Sequence, residues 1–214
     1  RLLMCGRFTL YTDEASLAGH FALVDSCRFK PCWNITPASD IPVIYLKNRS
    51  RKFINAHWGL VPHWARDDTF QPINARAETV ATKPYFRDAY KNGRCLIPAS
   101  GFYEWRGSEG HKQPYYFSLA NTDVFAFAGL RDHWDSPDKS FDSCTIITTT
   151  ANDIMAPVHN RMPVILAPES YDAWLNGDNG DLLQPYVGEM QVWPVSTLVN
   201  NPKHDGRDLI KQSQ

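Results

Sequence analysis

A cysteine that follows a methionine near the start of the chain, in Met4-Cys5-Gly6-Arg7-Phe8, offers chemistry that no internal cysteine has. Removal of Met4 as an initiator would leave Cys5 with a free α-amine beside its thiol. The amine of such a 1,2-aminothiol condenses with an aldehyde to a Schiff base, and the thiol then closes a five-membered thiazolidine ring. An α-amine titrates near ~7.7–8.0, so a useful fraction is neutral and nucleophilic close to neutral pH. Neighbours that lower the thiol pKa would make the thiolate accessible too. Gly6 would let a substrate backbone approach closely. The competing reading is a free cysteine packed in a core.

Three further segments pair polar residues with strand ends or turns: Asn74-Ala75-Arg76-Ala77-Glu78, Gly101-Phe102-Tyr103-Glu104-Trp105 and His159-Asn160-Arg161-Met162-Pro163. Glu104 lies in an apolar, aromatic stretch, where desolvation favours the neutral acid and suits it to proton transfer. Alternatively it is a carboxylate satisfied by an arginine. His159 could shuttle a proton near neutral pH or serve as a hydrogen-bonded structural histidine. Asn74 could orient a reacting oxygen or cap a turn. Arg76 and Arg161 could bind phosphates or pair with acids of the chain. Trp64, in Gly59-Leu60-Val61-Pro62-His63-Trp64, could stack on a base or pack against the protein.

These residues need a scaffold. Thr12-Asp13-Glu14 predicts a helix start, with Leu17 and Phe21 on one face. Strands are expected at Ile41–Leu46 and Phe53–Leu60, where apolar and polar residues alternate in the second. A short helix over Tyr85–Tyr90 should stop at Asn92-Gly93. Strands follow at Cys95–Ile97, Gly101–Trp105, Tyr115–Leu119, Val124–Ala128 and Thr145–Thr149. Asp153–Val158 reads as a helical turn, Pro163–Leu166 as a strand, Pro168–Leu175 as a helix ended by Gly177 and Val192–Val195 as a last strand. Strands outnumber helices and do not alternate with long helices as βαβ units would. The expectation is an α+β fold: one β-rich domain over residues 1–214, with a curved, barrel-like sheet and peripheral helices.

The bulk numbers bound the function. A chain of 214 residues suffices for one ordinary domain. A net charge of −1 gives no global attraction to polyanions, so any nucleic-acid surface must be a local concentration of Arg and Lys. Five scattered cysteines, an odd number, suggest no disulfide framework and a reducing compartment. No C-x-x-C pair occurs, and Cys27 and Cys32 lack a matching second pair for zinc, so no metal is expected; no cofactor is expected either. Leu2-Leu3-Met4 is too short for a signal peptide or membrane span. The expected location is cytoplasmic and nucleoid-associated in a bacterium, or nuclear in a eukaryote, and the expected state is a monomer.

Taken in order, the segments resemble the SRAP family, the SOS-response-associated peptidases or abasic-site-processing proteins. The resemblance rests on Met-Cys-Gly-Arg-Phe at 4–8, Trp33-Asn34-Ile35-Thr36-Pro37 and Trp-Gly-x-x-Pro at 58–62. It continues through Asn-Ala-Arg-x-Glu at 74–78, Gly-Phe-Tyr-Glu-Trp at 101–105 and Thr-x-Ala-Asn at 149–152. His-x-Arg-Met-Pro at 159–163, Trp-Leu at 174–175 and Pro-Val-Ser at 194–196 complete it. The resemblance implies a β-barrel-like core, a positively charged groove for single-stranded DNA and a covalent thiazolidine link from Cys5 to the aldehyde of an abasic site. It further implies that Asn74 positions the linkage and that Glu104 is the acid/base. His159 would assist opening of the deoxyribose. Arg7, Arg76 and Arg161 would hold phosphates, with Asn34, Trp64 and Thr149 lining the channel.

Two features depart from that pattern. Arg1-Leu2-Leu3 precede Met4, whereas the family's cysteine must present its amine. Either these three residues are an artificial addition or an over-extended start, or the protein cleaves itself between Met4 and Cys5. Lys83-Pro84-Tyr85, after Glu78, also brings less positive charge than expected. Two competing functions stand beside crosslinking: a thiol peptidase using Cys5, Glu104 and His159, and a non-catalytic module that binds single-stranded nucleic acid by aromatic stacking.

Overall fold

The computed structural model describes residues 6–108, 112–178 and 181–213. The order of elements is β1 (Phe8–Leu10), α1 (Glu14–His20), β2 (Cys32–Ile35), β3 (Asp40–Lys47), β4 (Ser50–Trp58), β5 (Asn74–Arg76) and α2 (Arg87–Asn92). After these come β6 (Arg94–Ala99), β7 (Gly101–Arg106), β8 (Gln113–Leu119), β9 (Phe125–Asp135) and β10 (Ser140–Thr150). The described chain closes with β11 (Arg161–Pro163), β12 (Ile165–Leu166), α3 (Tyr171–Leu175) and β13 (Met190–Pro194), plus short 3-10 turns.

Two sheets form. In the larger, β10, β4, β3, β6 and β9 pair in succession, and β9 pairs back onto β10, closing a five-stranded barrel. A ring with an odd number of strands cannot be antiparallel throughout. The parallel contact falls between β4 and β10, with Cys144 opposite Trp58. Short strands β5, β11 and β12 add to the barrel's rim. The second sheet runs β13-β8-β7-β1-β2. The β-rich architecture with a barrel core and few helices is the one expected.

One apolar core joins both sheets. Phe8 of β1 meets Trp58 of β4 edge-on at 5.1 Å and Phe127 of β9 at 5.8 Å. Such T-shaped pairs match the positive ring edge to the negative ring face. A smaller cluster of Tyr103, Tyr116, Val195, Val199 and Leu209 lies on the other face of the second sheet, under the C-terminal segment. Gly101 permits the close approach there: a Cβ at this position would sit 2.1 Å from the Tyr116 hydroxyl.

Several element boundaries differ from expectation for local reasons. Asp13, not Thr12, caps α1, its Oδ1 accepting the Ser16 N–H at 2.9 Å. Strand β4 starts at Ser50 because Asn48 and Arg49 adopt positive φ (51° and 61°). Two successive residues of that kind form the tight turn that matches hairpin twist. It ends at Trp58 because the Leu60 N–H turns away to Pro72 O (3.1 Å). Helix α2 begins at Arg87, two residues later than Tyr85.

Candidate active site

Strand β1 sets one side of the site. Phe8 lies opposite Phe102, and the Tyr103 N–H donates to Arg7 O at 3.0 Å. The same antiparallel register places Gly6 across from Glu104. Alternation along a strand sends successive side chains to opposite faces. Phe8, Phe102 and Glu104 therefore share the core face, whereas Arg7 and Tyr103 face the smaller cluster. Glu104 is 3% exposed, and its Oε2 accepts the Trp105 N–H at 3.3 Å. Cys5 itself lies outside the described residues.

None of the four described cysteines has a lowered thiol pKa. Burial raises the thiol pKa of Cys27 and Cys32, pushes Cys95 up to about 12 and raises Cys144 well above the ordinary thiol value. A thiolate is the reactive form, and desolvation disfavours it at all four. Among the described residues no three His, Cys, Asp or Glu side chains are arranged to hold a metal ion.

The barrel rim forms the second side. Three-residue β5 is a strand only because it runs parallel to β10, with Ile146 opposite Asn74 and Thr148 opposite Arg76. Asn74 is half-buried and Arg76 exposed. Trp58 connects this rim to β1: its ring packs on Phe8, and its Nε1 donates to Ile73 O at 3.0 Å, one residue before Asn74.

His159 and Arg161 belong to the same rim. Asn152 shapes the turn that leads to them, accepting the Met155 N–H through Oδ1 at 2.9 Å while its Nδ2 donates to Tyr186 O at 2.8 Å. His159 Nδ1 lies 3.0 Å from the Arg161 N–H and accepts from it. The neutral imidazole therefore carries its proton on Nε2. Arg161 is 9% exposed and grips Glu78 with both terminal nitrogens, Nη2 reaching Oε2 at 2.9 Å and also donating to Thr148 O at 2.7 Å. That contact holds the Glu78 carboxyl below the usual carboxylate range. Thr149 is buried beside this pair, opposite Met162.

Arg7 and Asn34 meet each other rather than solvent. Arg7 Nη1 donates to Asn34 Oδ1 at 2.7 Å and to Val199 O at 2.5 Å. Burial lowers the pKa of its guanidinium. Asn34 is 4% exposed, and its Nδ2 donates to Asn201 O and His204 O.

The predicted aromatic, Trp64, is 47% exposed and stands edge-on to Tyr85 at 5.8 Å. Phe70, which sequence reasoning missed, is 58% exposed and packs on the same ring at 4.9 Å. Its signal was available: a lone large aromatic in the polar run Asp67-Asp68-Thr69-Phe70-Gln71. The loop bearing both is pinned to the β9–β10 hairpin by Trp134 Nε1 to Ala65 O (2.9 Å) and Lys139 to Asp68 (2.8 Å). Glu78, the partner of Arg161, was also assigned no role from the sequence.

The arrangement thus has a buried glutamate opposite the residue after Cys5, a histidine, an exposed arginine and two exposed aromatic rings. No helix among the described residues is long and apolar enough to cross a membrane.

Comparison with known proteins identifies the family. The family model "SOS response associated peptidase (SRAP)" matches residues 4–202. Abasic site processing protein YoqW of Bacillus subtilis is 39% identical over 97% of this chain and 99% of its own length. Abasic site processing protein YoaM of the same organism is 38% identical over 97% of each. A crystal structure of a protein from Bacteroides thetaiotaomicron, 24% identical, shares the fold with a TM-score of 0.86 over 98% of this chain and all of that one. The chain belongs to the SOS response associated peptidase (SRAP) family.

Proposed function

We propose that this protein processes abasic sites in single-stranded DNA by crosslinking to them through Cys5, once Cys5 is the first residue. The α-amine of Cys5 attacks the aldehyde carbon of the ring-opened deoxyribose, giving a carbinolamine. Loss of water, with a proton delivered to the departing hydroxyl, leaves the Schiff base. The Cys5 sulfur then adds to the imine carbon, its proton passes to nitrogen, and the thiazolidine is closed. Overall one water is released and nothing is oxidised. An intact nucleotide has no free aldehyde, which gives selectivity for the lesion. The crosslink shields the strand from cleavage.

The observation that carries this reading is the β1–β7 register, which sets Gly6 opposite the buried Glu104. A carboxylic acid there suits the proton transfers of dehydration and of reversal. Asn74 positions the linkage from the rim. His159, with its proton on Nε2, donates toward the ring oxygen as the sugar opens. Exposed Arg76 meets a backbone phosphate. Trp64 and Phe70 offer base-stacking surfaces, and the buried Thr149 and Arg161 support the rim that carries His159. The thiol-peptidase reading shares Cys5, Glu104 and His159 and describes removal of residues 1–4.

Mass spectrometry of peptides from protein incubated with abasic DNA tests the proposal. An adduct confined to the peptide that begins with Cys5, at the mass of the sugar fragment less one water, is expected. An adduct on lysine, or none, overturns it.

A further inference from the structure

Strand β1 has three residues, and short terminal strands fray unless tied down. Its tie comes from the other end of the chain. Arg7 Nη1 is held by Val199 O and by Asn34 Oδ1. Asn34 in turn donates to Asn201 O at 3.0 Å and to His204 O at 2.6 Å. The neighbouring Trp33 N–H donates to Asp205 Oδ1 at 2.7 Å, and Trp105 Nε1 donates to Asn200 Oδ1 at 2.8 Å. Val199 and Leu209 are fully buried against Tyr103 and Tyr116. One segment thereby fastens β2, β1 and β7, the three adjacent strands that set Gly6 opposite Glu104. Two of its anchor points, His204 and Asp205, lie beyond residue 202, where the family match ends.

We infer that residues 197–210 form a positioning strap for strand β1, the strand that follows Cys5 in the chain, with Asn34 as its central anchor and Arg7 as the grip beside β1. This rests on the reading of Cys5 given above. The strap touches no reacting atom. It acts by keeping Gly6 in register opposite Glu104; a misplacement of reacting groups by about 1 Å can cost on the order of a hundredfold in rate. The opposing reading has Arg7 holding a DNA phosphate and Asn34 lining the DNA channel. It has to explain why Asn34 is buried and its side-chain oxygen and nitrogen are both engaged within the protein.

The two readings separate experimentally. On protein beginning at Cys5, Asn34→Ala and the milder surface changes Asn200→Ala and Asp205→Ala are compared with the unaltered protein. The crosslinking rate is measured at saturating abasic single-stranded DNA. Affinity and its salt dependence are measured in a Cys5→Ala background, and amide hydrogen exchange without DNA. The strap predicts that Asn34→Ala slows crosslinking at saturation by about tenfold or more, with affinity changed less than about twofold and an unaltered salt slope. Exchange of the Tyr103 and Ser100 amides, which donate to Arg7 O and Thr9 O, should accelerate, and Asn200→Ala and Asp205→Ala should show the same pattern more weakly. An unchanged rate with weakened affinity and a shallower salt slope overturns the strap, as does unchanged exchange. Should the unaltered protein form no crosslink, the proposed function fails, and hydrogen exchange alone then decides the strap.

Discussion

Arg161 holds Glu78 with both terminal nitrogens of its guanidinium, while its own backbone amide holds Nδ1 of His159 at 3.0 Å. One residue thus fixes an ion pair on one side and a tautomer on the other. Because Arg161 is nearly buried, its charge needs that carboxylate.

A pH dependence follows. Arg161 lowers the Glu78 pKa on folding, so the pair contributes stability above the ordinary carboxylate range and loses it as pH falls through the depressed folded-state value. Glu78 is about half exposed, so screening keeps the effect small. Glu78→Gln should lower the melting temperature at neutral pH by roughly 1–2 °C, and the gap should close on acidification. A gap that widens with acid contradicts the pairing.

Glu104→Gln preserves shape and removes the exchangeable acid. The crosslinking rate should fall by about 10²–10⁴, with DNA affinity in the Cys5→Ala background nearly unchanged. Single-turnover kinetics separate the two quantities. Loss of affinity without loss of rate would mean that Glu104 is not the proton-transfer group.

Arg76 is exposed on the rim, so its loss should act as a charge deletion. Arg76→Ala should weaken binding evenly across sequences and reduce the salt slope by about one, as read by fluorescence anisotropy at several salt concentrations. An unchanged slope removes Arg76 from the DNA contact.

Trp64 and Phe70 should matter for DNA far more than for folding. Each change to alanine should weaken single-strand binding by about 1–3 kcal/mol and shift the melting temperature little, since each ring is roughly half exposed. Calorimetry showing the reverse would make the pair part of the core.

Much of this was legible in the sequence because long strands such as Asp40–Lys47 advertise themselves by pattern. Strands β1, β2 and β5 did not. Asn74-Ala75-Arg76 has no apolar alternation and becomes a strand only by lying along β10. The outer halves of β9 and β10 were missed because Arg131–Asp135 and Ser140–Ser143 are largely polar and pair with each other. Residue types flagged Glu104, His159 and Arg76. They could not reveal that Arg7 and Asn34 engage a segment more than 160 positions away, since such contacts leave no local signature.

The central claim is covalent chemistry at Cys5. Protein beginning at Cys5 is mixed with single-stranded DNA carrying one abasic site and resolved on a denaturing gel, beside an intact strand, the Cys5→Ala variant and the chain retaining residues 1–4. A heat-stable shifted band that needs both the abasic site and a free Cys5 amine is the result predicted. No band from protein with a verified Cys5 amine, or an equal band from Cys5→Ala, would contradict it.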